Sequence, residues 1–252
     1  MNRRSRSNIM DSQDRKNVAM MGCFRSGTNF AKALLEQNYY CNVKNNVFGW
    51  KHGFLPIISS DSNASYSFDY DKAFFITKNP FSFLFSLFKY HQEVKRNLKA
   101  PLIFKNFIRS KIIVFDQANP RSPELRFSSP VDFWNAMNWN YASHKDFVHI
   151  RYEMLIEKPE FIINKAAEKM SLERTSGNFF VPEKKVKRIN DGEVLSKADD
   201  YQTKEAFDKS SYLSHDYMAS FDSDDIRCVM KELDSDLISR LGYSELIASL
   251  KS

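Results

Sequence analysis

Gly22-Cys23-Phe24-Arg25-Ser26-Gly27-Thr28-Asn29 is the stretch that organises this chain. An apolar run, Val18-Ala19-Met20-Met21, leads into it, and Phe30-Ala31-Lys32-Ala33-Leu34-Leu35-Glu36 follows with helical spacing. Strand, tight loop with two glycines, then helix is an arrangement that cradles phosphate. Glycine lets the backbone approach an anion, and the loop amides and helix N-terminus then face it.

The spacing Gly22-x-x-x-x-Gly27 is that of the nucleotide-binding P-loop. The next two residues depart from it, because Thr28 stands at the lysine position and Asn29 at the metal-ligating hydroxyl position. A cation, Arg25, sits inside the loop instead.

Working outward, 252 residues suit a single α/β domain over residues 16–252, with a flexible tail at 1–15. Aromatics are abundant, 22 Phe and 11 Tyr, against 7 Gly and 8 Pro, which argues for an ordered core. A net charge of +6 favours anionic partners without choosing among nucleotides, sulfated or phosphorylated molecules, nucleic acid and membrane surfaces. Cys23, Cys41 and Cys228 are odd in number and irregularly spaced, against both a disulfide framework and a zinc site. No apolar run approaches the length of a membrane span. The basic start, Met1 to Ser7, lacks the apolar core of a signal peptide, so the expectation is a cytoplasmic protein in which Asn63-Ala64-Ser65 is only a polar loop.

Further elements are expected in order. Residues 39–43 and 47–52 read as short strands, the second leaving Lys51 and His52 at its end before Gly53-Phe54-Leu55-Pro56. Residues 58–71 read as loop and 72–78 as a strand buried on both faces. Asn79 caps the next helix and Pro80 takes its first position, with Phe81, Leu84, Phe85 and Phe88 as its core stripe and Ser82, Ser86 and Lys89 on another flank. Residues 101–115 read as helix then strand, 119–130 as loop, 131–143 as a Trp-rich helix and 147–153 as a strand. A turn and an amphipathic helix to about Met170 follow. The run 184–188 reads as a solvated basic face in a long loop reaching about Asp200, and Asp222 and Asp234 start terminal helices.

Three of these landmarks together resemble the sulfotransferase family that uses 3′-phosphoadenosine 5′-phosphosulfate. Arg25-Ser26-Gly27-Thr28-Asn29-Phe30 resembles the family's phosphosulfate loop. Lys78-Asn79-Pro80 with Ser86 eight residues beyond Lys78 resembles its Arg-x-Pro signature, with lysine for arginine, so that a bidentate fork becomes a point charge. Arg151-Tyr152-Glu153 and the Glu157-Lys158-Pro159 step resemble its third landmark.

The resemblance implies a central parallel sheet flanked by helices on a P-loop-type core, with a helical C-terminal part. It implies transfer of a sulfuryl group to a hydroxyl or amine without a metal ion, leaving 3′-phosphoadenosine 5′-phosphate (PAP). Arg25, Ser26, Gly27, Thr28 and Asn29 would bind the 5′-phosphosulfate, and Phe30 would stack near the adenine, with Tyr152 beside it. Lys78 and Ser86 would bind the 3′-phosphate. Lys204 and Lys209 fall near the family's last basic loop, although its Arg-Lys-Gly is missing here. Lys51-His52-Gly53-Phe54-Leu55-Pro56 looks like the family's Lys-x-His-Leu-Pro segment, shortened by one residue, which makes His52 the candidate base with Lys51 beside it.

The expected acceptor is a small molecule or sugar, whose site an aromatic-rich segment such as 131–143 could line; a homodimer stays open, and neither nucleic acid nor a membrane span is expected. Two other classes compete: a P-loop nucleotide kinase, and a non-catalytic nucleotide-binding protein of the same fold.

Overall fold

A computed structural model describes residues 15–56, 68–119, 121, 123–187, 191 and 198–249. The expected tail, apart from Arg15, lies outside these residues, as do the Asn63 sequon and most of the 58–71 loop.

The frame is a four-stranded parallel sheet. It comprises β1 (Lys16–Gly22), β2 (Cys41–Lys44), β3 (Lys72–Thr77) and β7 (Val148–Arg151), in the spatial order β2-β1-β3-β7. Strands β1 and β3 are central and almost wholly buried, which is why they read as unbroken apolar runs. The chain leaves β1 in one direction to β2 and returns past it to β3, so the order reverses beside β1. Ligands of open α/β sheets collect beyond the strand ends at such a reversal. The loop 22–28 lies there, between β1 and helix α1 (Thr28–Asn38).

Helices cover both faces. On one side Val18, Met20, Phe74, Ile76 and Ile150 meet α1 and the helices α5 (Tyr152–Glu157) and α6 (Pro159–Lys169). On the other, Met21 and Phe75 meet α2 (Pro80–Val94) and α4 (Pro130–Ala142) through Phe81, Leu84, Trp134 and Tyr141. Asn79 caps α2 as expected, its Oδ1 accepting from the Ser82 amide at 2.9 Å. The flank with Ser82 and Ser86 is buried, Lys89 alone of that set being exposed.

A second sheet is antiparallel: β4 (Leu98–Lys99), β5 (Ile112–Val114) and β6 (Leu125–Phe127), with the short helix α3 (Phe104–Phe107) between β4 and β5. Strand β6 falls inside the segment read as loop. The surrounding prolines hid a strand that only pairing with β5 reveals.

Three further corrections concern the site. Residues 47–52 form turns rather than a strand, with Gly49 at φ 95, and they are tied to the sheet by Gly22 N donating to Lys51 O at 3.1 Å. The strand at 147–153 stops at Arg151, so Tyr152 and Glu153 open α5. In place of a continuous loop to Asp200, β8 (Lys184–Val186) and β9 (Gln202–Ala206) form an antiparallel pair, followed by α7 (Ser210–Leu213). The C-terminus is helical, with α8 (Ser223–Glu232), α9 (Ser235–Arg240) and α10 (Ser244–Ser249). Asp222 and Asp234 cap α8 and α9 as expected.

Candidate functional site

The loop 22–29 is a backbone device. Gly27 adopts φ 90, and a Cβ there would meet the Tyr152 ring at 2.4 Å, so this position demands glycine twice over. Arg25, an exposed residue, also lies in the left-handed region, at φ 61. Ser26 is buried and holds the turn: its Oγ donates to Cys23 O at 2.7 Å. The amides opening α1 follow, with Ala31 N to Gly27 O at 3.1 Å as the first helical bond. Cys23 is a small buried loop residue, and burial pushes its thiol far up, away from reactivity.

Lys51 and His52 lie beside this loop. The buried Lys51 ammonium donates to Asn29 Oδ1 at 2.8 Å and to Asn45 Oδ1 at 2.9 Å. Asn45 is oriented in turn by Asp191, whose Oδ1 accepts from Asn45 Nδ2 at 2.7 Å. His52 Nδ1 is 2.6 Å from Gly22 O. A carbonyl only accepts, so Nδ1 carries the proton and Nε2 is the basic ring nitrogen. The ring stacks on Phe24, with centroids 4.5 Å apart, while Trp50 meets it edge-on at 5.4 Å. Phe24 stacks on Tyr90 as well, and the Arg25 guanidinium lies over the Tyr90 ring at 5.6 Å.

Lys78 is the most unusual group. It is only 2 % exposed, its Nζ donates to Ser86 Oγ at 2.7 Å, and the ammonium sits over the rings of Tyr152 at 4.7 Å and Tyr212 at 4.1 Å. Burial, aided by the Arg25 charge and opposed by Glu153, lowers its pKa to about 7. The turn bearing it is clamped from outside: Trp134 Nε1 donates to Lys78 O at 2.8 Å, and Glu153 Oε1 accepts from the Asn79 amide at 2.8 Å and from Asn79 Nδ2 at 2.9 Å.

A cavity of about 610 Å³ joins these groups. Arg25, Gly27, Thr28, Asn29, Phe30, Lys51, His52, Lys78, Ser86 and Tyr152 all line it. Ser26 supports the loop from behind without lining it, and neither Lys204 nor Lys209 is among the lining residues. The Trp-rich helix 131–143 does not reach the cavity either; Trp134 and Tyr141 are fully buried in the core and Trp139 bonds Asp234.

A whole wall comes from β8 and the segment running from β9 into α7: Lys185, Val186, Phe207, Asp208, Ser211 and Tyr212. The resemblance points to the stretch 207–221 as the family's last segment but picks out Lys204 and Lys209, and none of these six as a site residue. The basic run at 184–188, read as a solvated face, also falls here: Lys185 lines the cavity while salt-bridged to Glu205 at 2.6 Å, and Arg188 lies outside the described residues. Phe30 packs against Phe207 at 5.5 Å, which ties the wall to α1. Asn45, Trp50 and Tyr90 were missed as well, none marked by a local pattern. Comparison with family models, curated proteins and solved structures finds no match to this chain.

Proposed function

We propose that this chain is a sulfotransferase that uses 3′-phosphoadenosine 5′-phosphosulfate and acts without a metal ion on a hydroxyl or amine of a small-molecule or carbohydrate acceptor. The observation that carries the reading is one cavity holding three things: a glycine-turned loop at a helix N-terminus, a base nitrogen fixed by the first glycine of that loop, and a second cationic site at Lys78. The donor nucleotide fits the last feature in particular. A buried lysine held against two tyrosine rings and a serine hydroxyl lacks a counter-ion within hydrogen-bond reach among the described residues, and a 3′-phosphate would supply it.

The donor supplies a sulfuryl group activated by a phosphate leaving group. Arg25 and the amides at residues 27–29 neutralise the charge that grows on that phosphate oxygen, the role such preorganised donors play in acyl and phosphoryl transfer. Lys51, held by Asn29 and Asn45, places a second cation at the same edge. His52 Nε2 accepts the acceptor's proton, and Gly22 O stabilises the resulting imidazolium through Nδ1. Phe24, Trp50 and Tyr90 form an apolar surround for that proton transfer.

Calorimetry with 3′-phosphoadenosine 5′-phosphate in a chelating buffer tests the reading. Binding without metal is expected. No binding, restored by magnesium, would favour a nucleotide kinase, and donor binding without sulfuryl transfer to any member of an acceptor mixture, read by mass spectrometry, would favour a non-catalytic nucleotide-binding protein.

A further inference from the structure

A second cavity, of about 290 Å³, lies between the end of α4, the edge strand β7 and the end of α9. Its polar lining is made of His144, Lys145, His149 and Arg240, with Phe75 and Phe147 among its apolar walls. None of its lining residues is a carboxylate; Asp146 sits between two of them in sequence without lining the space.

The hydrogen on His149 is fixed from a distance. Glu153 Oε2, a carboxylate oxygen, accepts from Tyr243 OH at 3.1 Å, and burial pushes the Tyr243 hydroxyl well up, so that it keeps its proton. The Tyr243 oxygen is 3.0 Å from Thr77 Oγ1 and, having spent its own hydrogen on Glu153, accepts from Thr77. Thr77 Oγ1, having spent its hydrogen too, accepts from His149 Nε2 at 2.7 Å. The imidazole is therefore the Nε2–H form, and Nδ1 carries a lone pair. Burial, with Arg151 and Lys169 nearby, holds the His149 pKa down to about 4, so the ring stays neutral at ordinary pH. The ring is also clamped flat against Phe75, with centroids 4.7 Å apart at 12°.

The cavity thus combines cationic donors with one fixed acceptor. Arg240 uses one guanidinium hydrogen on Ala142 O at 2.6 Å and keeps others, and Lys145 is exposed at the rim. A fully deprotonated oxyanion satisfies the cations and repels the Nδ1 lone pair. An oxyanion that retains one hydroxyl satisfies both.

We propose that this cavity is a second anion site, selective for a protonated oxyanion such as hydrogen phosphate or a phosphate monoester monoanion, with its P–O–H donating to His149 Nδ1 and its other oxygens accepting from Arg240 and Lys145. The site shares no lining residue with the large cavity, and its ligand is not part of the reaction assigned there.

The test compares inorganic phosphate with sulfate at pH 6.5 and equal ionic strength, followed by the ring resonances of His149 in the full chain. Phosphate is expected to shift them with saturation, and sulfate, which has no hydrogen to give at that pH, to bind at least tenfold more weakly. Arg240→Gln and, independently, Lys145→Gln should each weaken phosphate several-fold. Lys204→Gln, an exposed cation that lines neither cavity, should leave the His149 response unchanged. Equal response to the two anions, a His149 ring indifferent to both, or an undiminished response in both Arg240→Gln and Lys145→Gln would each overturn the proposal.

Discussion

The loop at 22–29 and the wall at 184–213 line the same cavity, and they are built by opposite rules. The loop works through its backbone. Gly27 and Arg25 take left-handed conformations, Ser26 locks the turn, and a parallel strand buried on both faces fixes the position of the whole. The wall works through side chains on a short exposed pair of strands and a four-residue helix, with no buried residue in α7. A backbone device is nearly all-or-none, because one Cβ displaces it. A side-chain wall yields by degrees, since each contact is partly solvated. The two regions should therefore answer mutation on different scales.

The largest effect is expected at Gly27. Gly27→Ala places a Cβ 2.4 Å from the Tyr152 ring at a φ that costs any L-residue strain. Overpacking and backbone strain together should remove about 2–5 kcal/mol of stability and abolish detectable bisphosphate binding. Gly49 offers the control. It has a similar φ, 95, with nothing within 4 Å of its Cβ, so Gly49→Ala should cost only about 1–2 kcal/mol and leave binding intact. Denaturant melts and calorimetry on both variants decide it; similar losses at the two positions would erase the distinction drawn here.

His52 comes next, since its ring is held by the loop's own carbonyl. His52→Ala should cut turnover about 100-fold, the usual contribution of a positioned base, while bisphosphate affinity stays near wild type. A matching collapse of affinity would make His52 part of the donor site, and unchanged turnover would move the base elsewhere.

The legible and illegible parts of the molecule divide along the same line. Strands β1 and β3, the loop, the Asn79 cap and the Lys78–Ser86 spacing depend on neighbours within about ten residues, and sequence carries such neighbours. The turn at 47–52 read as a strand because its aromatic and β-branched residues suit one, yet it meets β1 only at Gly22, whose amide donates to Lys51 O and whose carbonyl accepts from His52 Nδ1. Strand β6 exists through pairing with β5, and β8 through pairing with β9, partners that no local pattern names. Tyr212 reaches Lys78 from a segment more than a hundred residues away; the family resemblance brings that segment to the same site, but no local pattern names the tyrosine.

Lys78 joins the two regions, because Tyr152 lies against the loop and Tyr212 belongs to the wall. With a pKa near 7 in the free protein, lowered chiefly by burial, it is protonated below that pH and neutral above it. A bound phosphate stabilises the ammonium, so binding above pH 7 must take up a proton. Affinity should then be highest below pH 7 and fall by up to about tenfold for each unit above it. The titration of the phosphate itself cancels when wild type is compared with Lys78→Gln, whose profile should be flatter and whose affinity at pH 6 should be weaker by about 1.5–3 kcal/mol. Parallel profiles for the two proteins would remove Lys78 from the phosphate site.

The smallest effect is expected on the wall, and it separates what the structure brings to the cavity from what the family resemblance led us to expect. The resemblance points to Lys204 and Lys209, whereas Lys185 is the wall lysine that lines the cavity. Lys185 is more than half exposed and already paired with Glu205, itself exposed, so its charge acts through solvent and is partly cancelled. Lys185→Ala should weaken bisphosphate binding by less than about 1 kcal/mol, roughly a two- to fourfold change that disappears as salt rises. Glu205→Ala should strengthen binding by a similar factor, since it releases the ammonium from its partner, and the double variant should return near the Lys185→Ala value. Lys204→Ala and Lys209→Ala should change affinity less than Lys185→Ala does at low salt. If either of them weakens binding tenfold or more, the wall must close onto the nucleotide in a form that brings that lysine inward, and the side-chain wall would then share the all-or-none character assigned to the loop.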